Sequence, residues 1–136
     1  MQNLRHFNNL LLTVGTAVVV LVTPFPVDAA GLLDIQSAIM QDDYPKAEKL
    51  ARSFIAGRPP KAELNQALYY LGLSQLRKGD YIDARGSFLQ LTQDSQDVHM
   101  RDRGYLGLID SYLLDEQYPP AVEEANKLLS LNPQTE

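Results

Sequence analysis

From Leu32 onward the apolar residues recur at steps of three and four, as in Leu64, Leu68, Leu71 with Gln75, and Leu106, Ile109, Leu113. That spacing places them on one face of an α-helix. Short polar stretches interrupt the pattern. Pro45 and Pro119–Pro120 each follow a tyrosine and open a new apolar run, where a proline in the first helical turn loses no hydrogen bond. Gly79–Asp80 marks the corresponding turn in the middle of the chain. The pattern predicts six helices, over Leu32–Gln41, Tyr44–Ala56, Lys61–Lys78, Tyr81–Thr92, Val98–Glu116 and Tyr118–Ser130. Strand signals are weak, because the β-branched residues concentrate in the first thirty positions. The expected fold class is all-α.

The helices come in a repeating pair. Tyr44, Tyr81 and Tyr118 are 37 residues apart, and so are Ala47, Ala84 and Ala121. The same shift aligns Ile39 with Leu76 and Leu113, and Phe54 with Leu91 and Leu128. Asp34 breaks a column otherwise filled by Leu71 and Leu108. Pro59 and Pro133 align, with Gln96 between them. A single helical hairpin cannot cover its apolar faces, whereas three stacked copies form a continuous core. Residues 30–60, 61–97 and 98–136 are therefore expected to form three stacked helix-turn-helix units.

This arrangement resembles the tetratricopeptide-repeat (TPR) family over nearly all of the chain after residue 29. The middle unit carries the resemblance best, through Leu68, Leu71–Gly72, Gly79, Tyr81, Ala84 and Phe88. The third offers Tyr105, Leu108, Tyr112, Tyr118, Ala121, Ala125 and Pro133, and the first Ile35, Ala38, Tyr44, Ala47, Ala51 and Pro59. The 37-residue period exceeds the family's usual 34, and the extra residues fall at the starts of the third and fifth helices. The resemblance implies an α-solenoid whose first helices line a concave groove. Its groove residues would include Gln36, Tyr69, Leu73, Arg77, Arg103, Leu106 and Asp110, flanked by Leu32, Ile39, Met40, Leu76, Leu113 and Leu114. An amphipathic helix or extended apolar peptide of another protein suits that mixture. Tyr69, Arg77, Arg103 and Asp110 stand out, because tyrosine and arginine dominate binding energetics and the leucines also serve packing between units.

The first 29 residues read as an address. Arg5 and the amino terminus precede an uncharged apolar run from Leu10 to Val22, then Pro24, Pro26 and Val27–Asp28–Ala29. This is the layout of a secretory signal peptide cut after Ala29, and it points to the periplasm or to secretion. The alternative is an uncleaved anchor tethering a structural subunit to a membrane, although a finished span needs roughly 20 apolar residues.

Composition narrows the chemistry. With 12 Lys plus Arg against 17 Asp plus Glu, the net charge of -5 and the absence of a basic run argue against nucleic acid. There is no cysteine, which removes disulfides, thiolate metal sites and a cysteine nucleophile. His99 is the one histidine after the address segment, too little for a histidine metal set, and no Gly-x-Ser-x-Gly turn is present to suggest a Ser-His-Asp triad around it. Asp42–Asp43, Asp115–Glu116 and Glu123–Glu124 read as solvated turn and surface charges. No catalytic residue, cofactor, metal or small-molecule substrate is expected. Leu128, Leu129 and Leu131 on the last helix suggest an uncovered end through which copies of the chain would self-associate, because terminal repeats ordinarily carry a polar outer face.

Overall fold

The computed structural model describes residues 31–132, so the proposed address segment and Pro133 lie outside the described residues. Six helices follow in order: α1 (Leu32–Met40), α2 (Tyr44–Ala56), α3 (Lys61–Lys78), α4 (Tyr81–Asp94), α5 (Val98–Leu114) and α6 (Tyr118–Leu131). No strand occurs among the described residues, so they are all-α. The predicted helices are met within two residues at each end.

The 37-residue period reappears in backbone geometry. Asp42, Gly79 and Glu116 hold positive φ values of 56°, 86° and 57° at the ends of α1, α3 and α5. In each turn the next residue's N–H donates to a carbonyl five residues back: Asp43 to Ala38 at 2.9 Å, Asp80 to Gln75 at 2.9 Å and Gln117 to Tyr112 at 2.8 Å. This left-handed closure satisfies carbonyls that a helix end leaves free and turns the chain into the next helix. Tyr44, Tyr81 and Tyr118 then begin α2, α4 and α6.

Each helix packs on the next in the chain, and α3 also touches α1 and α5. The alanine column sits in the middle of each pair, with Ala47 and Ala84 fully buried and Ala121 nearly so. Small side chains there let paired helices approach closely. One core cluster joins Ile35, Ala51 and Leu71, with Leu50, Phe54 and Tyr70 packed against it. The other joins Leu76, Ala84, Phe88 and Leu108.

Phe88 fixes how α3, α4 and α5 meet. Its ring lies against two backbones, so a Cβ added at Gly72 would sit 2.7 Å from it and one at Gly107 2.5 Å. Gly104 likewise admits Thr92, whose Cγ2 a Cβ would approach to 2.9 Å. Glycines that weaken α5 as an isolated helix are the positions where α4 comes closest.

Polar contacts between units follow the same shift. Lys78 of α3 pairs with Glu48 of α2 at 2.6 Å, and 37 residues later Asp115 pairs with Arg85 of α4 at 2.9 Å. Nδ2 of Asn65 donates to Oγ of Ser95 at 3.1 Å, and the equivalent pair is Asn132 donating to Asp102 at 3.0 Å. The repeat is thus a repeat of contacts, even where the residue types change.

Candidate functional site

The helices α1, α3 and α5 carry every residue of the expected groove. The structure brings Tyr69 and Arg103 together. The guanidinium carbon lies 5.3 Å from the ring centroid, within the distance at which a cation is attracted to the ring's negative face. The half-buried Tyr69 ring also packs on Tyr70 and Phe88, at centroid distances of 5.8 and 6.4 Å, so its orientation is set by the core. Leu73 is half-buried, while Gln36, Arg77, Arg103, Leu106 and Asp110 are exposed. Met40 and Leu114, which share a column with Arg77, are exposed as well.

Gln36, Arg77 and Asp110 make no side-chain hydrogen bond or ion pair among the described residues. Arg103 meets only the Tyr69 ring there. The contrast is with Arg85, which donates to Asp115 and to the Ser111 carbonyl and lies over the Tyr112 ring, and with Lys127, held by Glu123 and Glu124 at 2.9 Å each. Arg77 stands near enough to Tyr44 for its charge to oppose the upward pull that the Asp42 carboxylate exerts on the Tyr44 hydroxyl. The expected groove residues therefore present Arg77 and Arg103, the Asp110 carboxylate and the exposed apolar side chain of Leu106.

The flanking positions divide. Leu76 is only 7 % exposed and packs with Phe88 and Leu108, while Ile39 packs on the α1–α2–α3 core. Leu76 is structural and offers no contact surface, whereas Ile39 is half-buried and packs on the core with one side. Leu113, in the same column, is exposed because no described helix stands where α5 stands for Leu76.

A concavity of about 290 Å³ opens between α2 and α4 over α3, lined by Ile55, Leu68, Leu71, Gln75, Ile82 and Gly86 among others, and none of the expected groove residues lines it. Its buried polar side chains, Gln75 and Ser87, are satisfied. With its amide nitrogen toward Ser87 Oγ (2.7 Å) and the Asp83 carbonyl (3.2 Å), Gln75 accepts from Arg52 at 3.0 Å. The buried amide ties the two even helices to α3.

His99 is exposed at the start of α5, where its backbone N–H donates to the Asp97 carboxylate. Among the described residues no three His, Asp or Glu side chains gather as a metal site, and no helix is long and apolar enough to cross a membrane. Comparison with protein-family models, with curated proteins and with solved structures finds no significant match.

Proposed function

We propose that this chain is an exported, non-catalytic binding module. Its three helix pairs would be TPR-type units of an α-solenoid, and the face formed by α1, α3 and α5 would hold a peptide or helix of another protein. The observation that carries this reading is the Tyr69–Arg103 pair. Its ring is fixed by the core, while its guanidinium is exposed and has no carboxylate partner among the described residues. Arg77, Gln36 and Asp110 add polar groups on the same helices that have no side-chain partner among the described residues. Rigid aromatic and arginine anchors of this kind supply most of the energy of protein recognition. Leu73 and Leu106 would receive apolar side chains of the ligand, and the two arginines its carboxylates or carbonyls. Export rests on the layout of residues 1–29, and a scaffold role in the periplasm or outside the cell follows from the two together.

The test is affinity capture of the tagged chain from its native host, run beside Arg103→Glu and Arg77→Glu variants of unchanged helicity and melting temperature. The proposal expects a partner enriched by the wild type and lost, by about tenfold or more, from both variants. Equal capture by all three would refute it.

A further inference from the structure

The repeat sets the groove residues of α3 and α5 in matched rows. Shifting by 37 aligns Tyr69 with Leu106 and Leu73 with Asp110. Arg77 follows Leu73 by four residues, so each step along α3 is about 6 Å of helix rise. Arg103 joins the first row through its contact with the Tyr69 ring at 5.3 Å. Tyr69 and Arg77 are eight residues apart, about 12 Å along the axis of α3. On α5, Arg103 and Asp110 are seven residues apart, two turns on one face. Since α3 and α5 are in contact, the seam between them carries an ordered sequence of groups. Arg103 stands at one end and Arg77 at the other. Leu73, Leu106 and the Asp110 carboxylate lie between them.

The local sign of charge opposes that of the whole chain. The net charge is -5, yet this seam holds two cations and one carboxylate. Arg52, Lys78 and Arg85 all find carboxylates within the chain. Arg77 and Arg103 find none among the described residues, and both are exposed. A guanidinium presents a planar fork that matches a carboxylate, so each is a ready receptor for one. Asp110, exposed between them, has the opposite effect. It repels a carboxylate at the middle of the seam and accepts an N–H there.

We infer that the ligand of this seam is an extended acidic segment of another protein, with carboxylates four residues apart and an apolar side chain midway. The inference rests on the reading of the odd-helix face as a protein-binding surface. In an extended chain, residues i, i+2 and i+4 point the same way, and four residues span about 13 Å. That length matches the separation of the two arginine rows. Residues i and i+4 then place a carboxylate on Arg103 and another on Arg77, and residue i+2 rests on Leu73 and Leu106. An extended backbone also has N–H groups in need of acceptors, and Asp110 supplies one at the centre. A helical ligand keeps its backbone N–H groups to itself and brings none to Asp110. The same carboxylate makes the seam selective. A ligand that is acidic at i, i+2 and i+4 sets its middle carboxylate against Asp110 and is disfavoured.

The test uses the full chain and three fluorescent heptapeptides, blocked at both ends so that no terminal charge contributes. They are Gly-Glu-Ser-Leu-Ser-Glu-Gly, the same peptide with Glu in place of Leu, and the same peptide with Lys in place of both Glu residues. Fluorescence anisotropy should show the Leu-centred acidic peptide binding with a Kd of about 100 µM, and the lysine peptide at least about tenfold more weakly. Arg77→Glu and Arg103→Glu should each weaken the Leu-centred peptide about tenfold. Asp110→Asn should strengthen the Glu-centred peptide about fivefold, a gain that general attraction to a basic surface does not produce. All three substitutions are at exposed positions, and unchanged helicity confirms that the fold is kept. The inference is overturned if the Leu-centred peptide fails to bind at about 1 mM, if the lysine peptide binds as well, or if Asp110→Asn leaves the Glu-centred peptide unchanged. A partner captured through Arg77 and Arg103 while the acidic peptides fail would sink this inference and leave the binding face standing. Equal capture by wild type and both arginine variants would instead sink the face itself.

Discussion

Glu48 on α2 and Arg85 on α4 occupy equivalent positions in successive units and carry opposite charges, and each is met by its opposite 30 residues further on. The pairs are Glu48–Lys78 at 2.6 Å and Arg85–Asp115 at 2.9 Å. The contact is retained while its sign reverses, so mispairing the units would bring like charges together.

Reversing one charge should therefore destabilise, and reversing both should restore. Glu48→Arg places a cation beside Lys78 and Arg52, and costs ~0.5–1 kcal/mol for a pair whose carboxylate is half-buried and whose lysine is exposed. Adding Lys78→Asp recreates the Arg85–Asp115 arrangement and recovers at least half of that loss. Urea unfolding of the two single variants and the double variant measures the coupling. A double variant no better than the sum of the singles would show that the pair contributes nothing to stacking.

The same pair shapes the acid limb of stability. The Lys78 ammonium, then Arg52, holds the Glu48 carboxyl below the usual glutamate range, against the opposing effect of burial. A lowered folded-state value means that the stabilisation is complete above the unfolded value near ~4.3 and is lost as pH falls through the folded one. The stability difference between wild type and Glu48→Gln should thus be constant above pH ~5 and shrink toward lower pH. Lys78 is raised, chiefly by Asp80 and then Glu48, so its own contribution persists through neutral pH and fades only in strong alkali. A difference between wild type and Glu48→Gln that grew on acidification would contradict the assignment.

Glycines on α4 and α5 should respond oppositely to the same added methyl. Gly107→Ala drives a Cβ to 2.5 Å from a Phe88 ring that is almost fully buried and has nowhere to move, and should cost ~2–3 kcal/mol. Gly86→Ala meets nothing within 4 Å and should gain ~0.5–1 kcal/mol from helix propensity alone. Thermal melting of the two variants settles the sign of each. Combining Gly107→Ala with Phe88→Leu should return part of the loss.

The left-handed turns should also respond in opposite directions. Glu116 holds a left-handed backbone that costs a non-glycine residue ~1 kcal/mol, so Glu116→Gly should stabilise by about half of that or more. Gly79→Ala, at φ 86°, should destabilise by ~1 kcal/mol for the same reason. Chemical denaturation of both variants reads the two directions.

Much of this architecture was legible in the residues. The Tyr-x-x-Ala pattern located α2, α4 and α6 at their first residue, because a helix start has local signals in proline, aspartate and turn chemistry. The contact columns were not legible. Glu48 and Arg85 look unrelated until their partners are known, since a charge-reversed pair keeps its geometry and changes its letters. Gly104 and Gly107 read as weak points of a helix, although each is a place where α4 approaches. Ile39 and Leu76 could be groove or core on periodicity alone, because both lie on odd helices at apolar spacing. The packing of Phe88 and Leu108 decides the matter for Leu76. Asp34, which only broke a column in the sequence, sits in the first turn of α1 and accepts from the Gly31 N–H at 2.9 Å.

The central claim is that the odd-helix face holds a partner protein, and site-specific photocrosslinking in the native host tests it most directly. A photoreactive side chain is placed at Leu73 or Asp110, on that face, and at Gln90, which lines the cleft between the even helices. The account predicts one heterologous adduct of the same mass from Leu73 and Asp110 and none from Gln90. An adduct from Gln90 alone, or no heterologous adduct from either groove position, would contradict it.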